Sequence, residues 1–257
     1  MLREAEVPGA RPPLGTWLRY QSRLSLRRCR EIIGDHPAFL PLVLACTPEG
    51  RSRAITADTD VVVEGFPRCG NTFAAAALQL CAPSSDISIV SRVHVPAQVK
   101  KAVRHGIPTV LVIRDPAEAV ASLALAAPHV TLEHGLREFV HHYEQLWPYR
   151  ESVVVAPFDD VTADFGSVVR ELNEKFGTSF HPFVHSEETE RAAFALMEER
   201  NGSAHHGAIR ARYDTRPSAE RTAAKQSLLA KLRSDRMYPL LERAEGVYAG
   251  YMAVARS

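Results

Sequence analysis

Gly65-Phe66-Pro67-Arg68-Cys69-Gly70-Asn71-Thr72 puts two glycines and a threonine in register with the phosphate-binding pattern G-x-x-x-x-G-K-[ST], with Asn71 where that pattern has lysine. Glycines so spaced let backbone N–H groups crowd around an anion, and a helix opening at the second adds the positive end of its dipole. Without the lysine, chemistry on a nucleotide γ-phosphate loses its usual point charge. Arg68 is the cation inside the loop that can replace it. Arg114 and, eight residues later, Ser122 form a second group, a guanidinium fork and a hydroxyl suited to clasping another phosphate. Between the two stands His94, whose residue type suits general base work near neutrality. Taken singly, each group has a plain alternative: an ordinary strand-to-helix turn, an arginine pairing with a nearby carboxylate, a satisfied structural histidine.

These side chains need elements to hold them. The apolar β-branched run Val61-Val62-Val63 predicts a strand feeding the loop, and the alanine-rich stretch Ala74 to Leu80 predicts a helix leaving it. Thr109 to Ile113 reads as a strand running straight into a capped helix. There Asp115 suits the N-cap, Pro116 the first helical position, and Glu118 the third in a capping-box arrangement. Arg114 then sits at a strand's carboxyl end, and Ser122 about two turns along the helix. The strand before the loop is expected at Asp60 to Glu64, and further strands at Ile87 to Val93, which His94 ends, and Ser152 to Ala156. Helices are expected at Thr16 to Ile33, Pro116 to Leu125, Leu132 to Trp147, Phe165 to Phe176, Glu188 to Arg200, Ala219 to Leu232 and Tyr238 to Met252. The order predicts an α/β fold in three layers: a central parallel sheet with a P-loop-like strand-loop-helix and helices on both faces. Ligands in such folds bind beyond the carboxyl ends of the strands.

Composition narrows the classes. With 257 residues, 46% of them hydrophobic, the chain can bury a sizeable core, and residues 1–58 read as an N-terminal helical extension packed on an α/β domain of residues 59–257. A formal net charge of +1 gives no global pull toward nucleic acid or an anionic membrane. The cluster Arg23, Arg27, Arg28 and Arg30 is a local one, expected as a solvated helix face, with contact to anionic lipid or to a partner as the alternatives. Four cysteines without CxxC spacing, the lack of a signal-peptide pattern, and an apolar stretch at Ala38 to Cys46 too short to span a bilayer lead to the expectation of a cytoplasmic protein. No metal site is expected: Glu138 and His141 have E-x-x-H spacing without a second copy, and read as a solvated face. Gly202 to Tyr213 is expected to be a surface loop.

The loop and the Arg114/Ser122 pair together resemble the sulfotransferases that use 3′-phosphoadenosine 5′-phosphosulfate, PAPS, as sulfuryl donor. In that family a segment reading roughly Y-P-K-S-G-T-T-W binds the 5′-phosphosulfate, and Phe66-Pro67-Arg68-Cys69-Gly70-Asn71-Thr72-Phe73 looks like it. The family's second motif has an arginine after a strand and a serine eight residues on, both on the 3′-phosphate, which Arg114 and Ser122 match. Arg92-Val93-His94-Val95-Pro96 is similar to the K-T-H-L-P segment that carries the catalytic base. Phe158-Asp159-Asp160 resembles the family's Y-E-D segment, and Arg216 and Arg221 fall where the chain often closes over the nucleotide.

The resemblance implies transfer from PAPS to an acceptor hydroxyl without a metal. Arg68 and His94 would be catalytic, and Arg68, Cys69, Gly70, Asn71, Thr72, Phe73, Arg114, Ser122, Phe158, Arg216 and Arg221 would hold the donor. Val95 to Val99 and Pro128 to Glu138 would line the acceptor pocket, which would suit a small molecule, sugar, lipid or peptide alcohol. Arg68, Cys69 and Phe73 depart from the family's usual lysine, serine and tryptophan, which makes the role of Arg68 electrostatic. A divergent P-loop kinase and a catalytically silent nucleotide-binding protein are the alternatives.

Overall fold

The protein's architecture comes from a computed structural model that describes residues 14–46, 50–84, 86–202 and 219–257. Four parallel strands, β1 (Val61–Gly65), β2 (Ile89–Ser91), β3 (Thr109–Ile113) and β4 (Val154–Pro157), form one sheet in the order β2-β1-β3-β4. Every residue of β1, β3 and β4 is buried, as near-continuous apolar runs in a sheet covered on both faces must be. The helices are α1 (Leu14–Ile33), α2 (Leu40–Ala45), α3 (Asn71–Leu80), α4 (Pro96–Arg104), α5 (Pro116–Ala126), α6 (Leu132–Leu146), α7 (Phe158–Ala163), α8 (Phe165–Phe176), α9 (Glu187–Gly202), α10 (Ala219–Leu232) and α11 (Tyr238–Val254).

The strand order fixes the site. The chain steps from β1 outward to β2, then back past β1 to β3 and on to β4, so right-handed crossovers send successive helices to opposite faces. α3 packs with α8 and α9, while α4 packs with α6, and α6 with α5 and α11. The reversal falls between β1 and β3, the point of an open α/β sheet beyond whose carboxyl ends ligands bind. The loop after Gly65 and the turn at Arg114 lie at those ends.

Three differences from the sequence expectation have physical causes. β2 stops at Ser91, because Arg92 (φ 68°) and His94 (φ 56°) take left-handed backbone that a strand cannot use; His94 therefore lies beyond the strand, not at its last position. The stretch from Val95 to Val99, expected to line an acceptor pocket, opens α4 with Pro96 at its first turn. Val95 and Ala97 pack there with Leu40, Val43 and Leu44, and Val99 joins the main core. The apolar stretch read only as too short to span a bilayer is largely α2, which supplies that second cluster. Among the described residues no helix is long and apolar enough to cross a membrane.

Close approach at the end of β1 explains Gly65. A Cβ there would lie 2.2 Å from the Val112 carbonyl oxygen and 2.9 Å from Asn71 Oδ1. The first obstacle is backbone of the paired strand and cannot swing aside. Gly65→Ala is therefore expected to cost about 3 kcal/mol of stability, measurable as a lowered urea midpoint with unchanged m-value.

Candidate functional site

The loop between β1 and α3 is tied down from within. Asn71, buried, donates from Nδ2 to the carbonyls of Phe66 (3.0 Å) and Gly65 (3.4 Å). The Tyr143 phenol accepts the Phe66 N–H at 3.2 Å and donates to the Val112 carbonyl at 2.7 Å, joining the ends of β1 and β3. Cys69 Sγ lies 3.6 Å from the same phenol oxygen, and burial pushes its thiol up to about 12, so it stays a protonated packing group. Gly70 takes φ 100° and Arg68 φ 72°. No side chain caps α3; its first helical bond runs from Ala74 N–H to the Gly70 carbonyl. The N–H groups of the first turn are the donors a bound anion would use.

Four residues expected at the donor meet beside this loop. Arg68 donates from Nε to Ser122 Oγ at 3.0 Å, and Arg114 donates from Nη1 to the Arg68 carbonyl at 3.2 Å. The Arg114 guanidinium carbon lies over the Phe158 ring, 3.9 Å from its centre, a cation–π contact. The same ring stands 3.1 Å from where a Cβ on Gly70 would sit, closing one side of the loop. Asp115 caps α5 as expected, accepting the Glu118 N–H at 2.9 Å. The Glu118 carboxylate does not reach back in a capping box; it pairs with Arg114 at 3.3 Å and with Lys225 of α10.

His94 is strapped into place. Its Nδ1 lies 2.9 Å from the Gly65 carbonyl, which can only accept, so Nδ1 carries the proton and Nε2 keeps its lone pair. Glu64, wholly buried at the end of β1, accepts the N–H groups of Val93 (2.6 Å) and His94 (2.9 Å) on its two oxygens. From the other side Arg53 donates to the Arg92 carbonyl at 3.1 Å, and Arg30 of α1 donates to the Val93 carbonyl. Non-glycine residues in the left-handed region cost on the order of 1–3 kcal/mol each and persist where surroundings over-determine them. Among the described residues Arg68, Arg92 and His94 are those of this kind, and all three follow the carboxyl ends of β1 and β2.

Charge and burial set opposite shifts on the adjacent pair. Burial pushes the Glu64 carboxyl up to about 7 even though backbone hydrogen bonds from Val93, His94 and Gly65 favour its anion. Burial lowers His94 to about 3, with the Gly65 hydrogen bond acting against it and Arg30 nearby adding to it. The ring keeps 23% of its side-chain surface exposed.

A lowered folded pKa gives His94 a contribution that is present above its unfolded value and lost as pH falls. Glu64, raised, contributes below its unfolded value and loses this as pH rises through 7. Between the two unfolded values, roughly pH 4.5 to 6.5, the folded chain holds one proton on Glu64 and the unfolded chain holds one on His94, so their effects cancel. His94→Asn removes one half. Its stability relative to the parent should then fall as pH rises across that window by up to about 1.4 kcal/mol per pH unit, as followed by urea unfolding at several pH values.

The other expected residues are placed as follows. Phe73 is buried against Phe194, Thr72 is half-buried in the first turn of α3, and Arg221 belongs to α10. Arg216 and residues 203–213 fall outside the described residues. Glu138 is not on a solvated face, because α1 covers it, whereas His141 stays 41% exposed. Arg27 clasps Glu138 with two bonds of 2.7 Å, and His141 pairs with Asp35 at 2.8 Å. Pro128 to Glu138, expected to line an acceptor pocket, includes His134 and Glu138 buried in this same seam. Glu31, His134 and Glu138 bring three metal-ligand atoms within 4.8 Å of one another. Arg27 already neutralises Glu138 there, so the group serves as an ion-pair seam between α1 and α6.

Glu64, Tyr143, Arg30, Arg53 and Lys225 were not singled out for the site from sequence. The signals available were a charged residue inside an otherwise apolar strand, at Glu64, and an aromatic on the inner face of α6, at Tyr143.

The fold and this cluster define an α/β protein with a P-loop-like strand-loop-helix and an adjoining histidine at the strand ends. No protein-family model and no curated protein sequence matches the chain. Among solved structures, that of mouse sulfotransferase SULT7A1 complexed with PAP is similar over 78% of this chain and 93% of that chain, at 12% identity and a TM-score of 0.39.

Proposed function

We propose that this chain transfers a sulfuryl group from PAPS to an acceptor hydroxyl. One observation carries the proposal: Gly65, which opens the anion loop, also accepts the His94 Nδ1–H, so the candidate base and the candidate anion site share one backbone hinge. The residues fit a doubly phosphorylated nucleotide. The uncapped turn of α3 and Arg68 would hold its 5′ end, while Arg114, over the Phe158 ring, and Ser122 would hold the 3′-phosphate. Such a donor supplies an activated sulfuryl group on a phosphate leaving group.

The chain's own residues then have defined tasks. Arg68 exchanges its contact with Ser122 for phosphate oxygens and offsets the charge that grows on them. His94 Nε2 accepts the hydroxyl proton as the acceptor oxygen bonds to sulfur. Its low pKa keeps the ring unprotonated across the physiological range, and negative charge bound beside it raises its basicity. Asn71 stands against the kinase alternative. Where a P-loop lysine would reach phosphate, its amide instead ties the loop's own carbonyls.

Incubation with labelled PAPS and a broad panel of alcohols tests this. The expected result is acceptor-dependent release of adenosine 3′,5′-bisphosphate that His94→Ala abolishes. Donor binding without turnover on any acceptor would favour the silent nucleotide-binding alternative, which the weak basicity of His94 keeps in view.

A further inference from the structure

α1 has two unlike sides. Its inner side uses the helix's one carboxylate and two of its five arginines: Arg27 on Glu138, Arg30 on the Val93 carbonyl, and Glu31 at 2.9 Å from His134 Nε2. Its outer side leaves Leu18 53%, Leu26 70% and Ile32 74% exposed. At 3.6 residues per turn these three fall within an arc of about 120° that also holds exposed Cys29 and the small hydroxyl residues Ser22 and Ser25. Arg19 and Arg23 border the strip on one side and Arg28 on the other, all exposed. Just beyond the helix, Phe39 and Leu42 are also 52% and 53% exposed. The basic cluster is therefore not a solvated face throughout.

We propose that the outer face of α1 docks on an anionic membrane surface, lying in the interfacial plane with the Leu18–Leu26–Ile32 strip among the acyl chains and Arg19, Arg23 and Arg28 at the headgroups. Charge complementarity selects this occupant. The exposed charges of α1 carry one sign, with no outward carboxylate to pair a protein partner's cations. A lone helix presents a ridge, which suits a flat, deformable surface better than a partner that must supply a matched groove. Apolar insertion and basic attraction are each marginal alone and stable together. The proposal does not depend on the reaction assigned to the strand ends.

Co-sedimentation of the full chain with vesicles tests it, comparing phosphatidylcholine alone with a mixture containing about 30% phosphatidylserine, at about 0.1 M salt and at higher salt. Binding to the mixed vesicles is expected, falling about tenfold or more without phosphatidylserine or at high salt. Leu26→Gln with Ile32→Gln, and separately Arg19→Gln with Arg23→Gln and Arg28→Gln, should each reduce binding about tenfold, while the circular dichroism and Tm of both variants match the parent. No binding to the mixed vesicles, equal binding to both kinds, or light scattering that shows a dimer dispersed by the Leu26/Ile32 variant would each overturn the proposal.

Discussion

Arg68→Ala is expected to lower kcat for sulfuryl transfer about 10³-fold while leaving the fold intact, a split that single-turnover kinetics and an unchanged Tm would show together. The expectation follows from position. Arg68 is the cation inside the loop, half-buried, and its Nε contacts a hydroxyl, which a phosphate oxygen can replace. Removing it takes away an electrostatic partner without opening a core cavity. Arg68→Lys should recover part of the rate, because a point charge returns but the planar fork does not. Equal loss in both variants would show that bidentate geometry, rather than charge, is what the loop needs.

The second large effect is structural and lies behind the first. Glu64→Leu leaves the N–H groups of Val93 and His94 buried without acceptors and removes the carboxyl that faces Arg30 and Arg53. Each orphaned N–H costs about 1–3 kcal/mol, so a loss of about 3–5 kcal/mol is expected, read as a lowered urea midpoint. Turnover should fall as well, because the 92–94 segment would no longer be held in its left-handed backbone and His94 would leave the Gly65 carbonyl. Donor affinity should change little. That combination separates Glu64 from Arg68, whose loss weakens the anion site and spares stability.

The contrast shows which parts of the molecule could be read in advance. Thr109 to Ile113 and the Asp115–Pro116 cap were legible because their signals are local: β-branched residues, then a side chain that bonds an N–H three residues on. The convergence of Arg114 and Ser122 on the loop followed from strand order, since a parallel sheet gathers the carboxyl ends of its strands. Glu64 was hidden because its partners lie 29 and 30 positions away, and nothing local distinguishes a strand glutamate that accepts two distant N–H groups from one at a sheet edge. Arg30 was read by its neighbours in sequence as a surface charge, although the helix turns it toward Val93. α4 gives little local signal because its lysines and glutamine mask an apolar stripe; Lys100 and Gln98 are themselves buried, bonded to the Asp35 and Arg53 carbonyls.

The most direct test of the donor assignment is a pair of calorimetric titrations, adenosine 3′,5′-bisphosphate against adenosine 5′-monophosphate. If Arg114 and Ser122 hold a 3′-phosphate, the bisphosphate binds about tenfold to a hundredfold more tightly, and Arg114→Ala brings the two ligands level. Equal affinities in the parent chain would contradict the account.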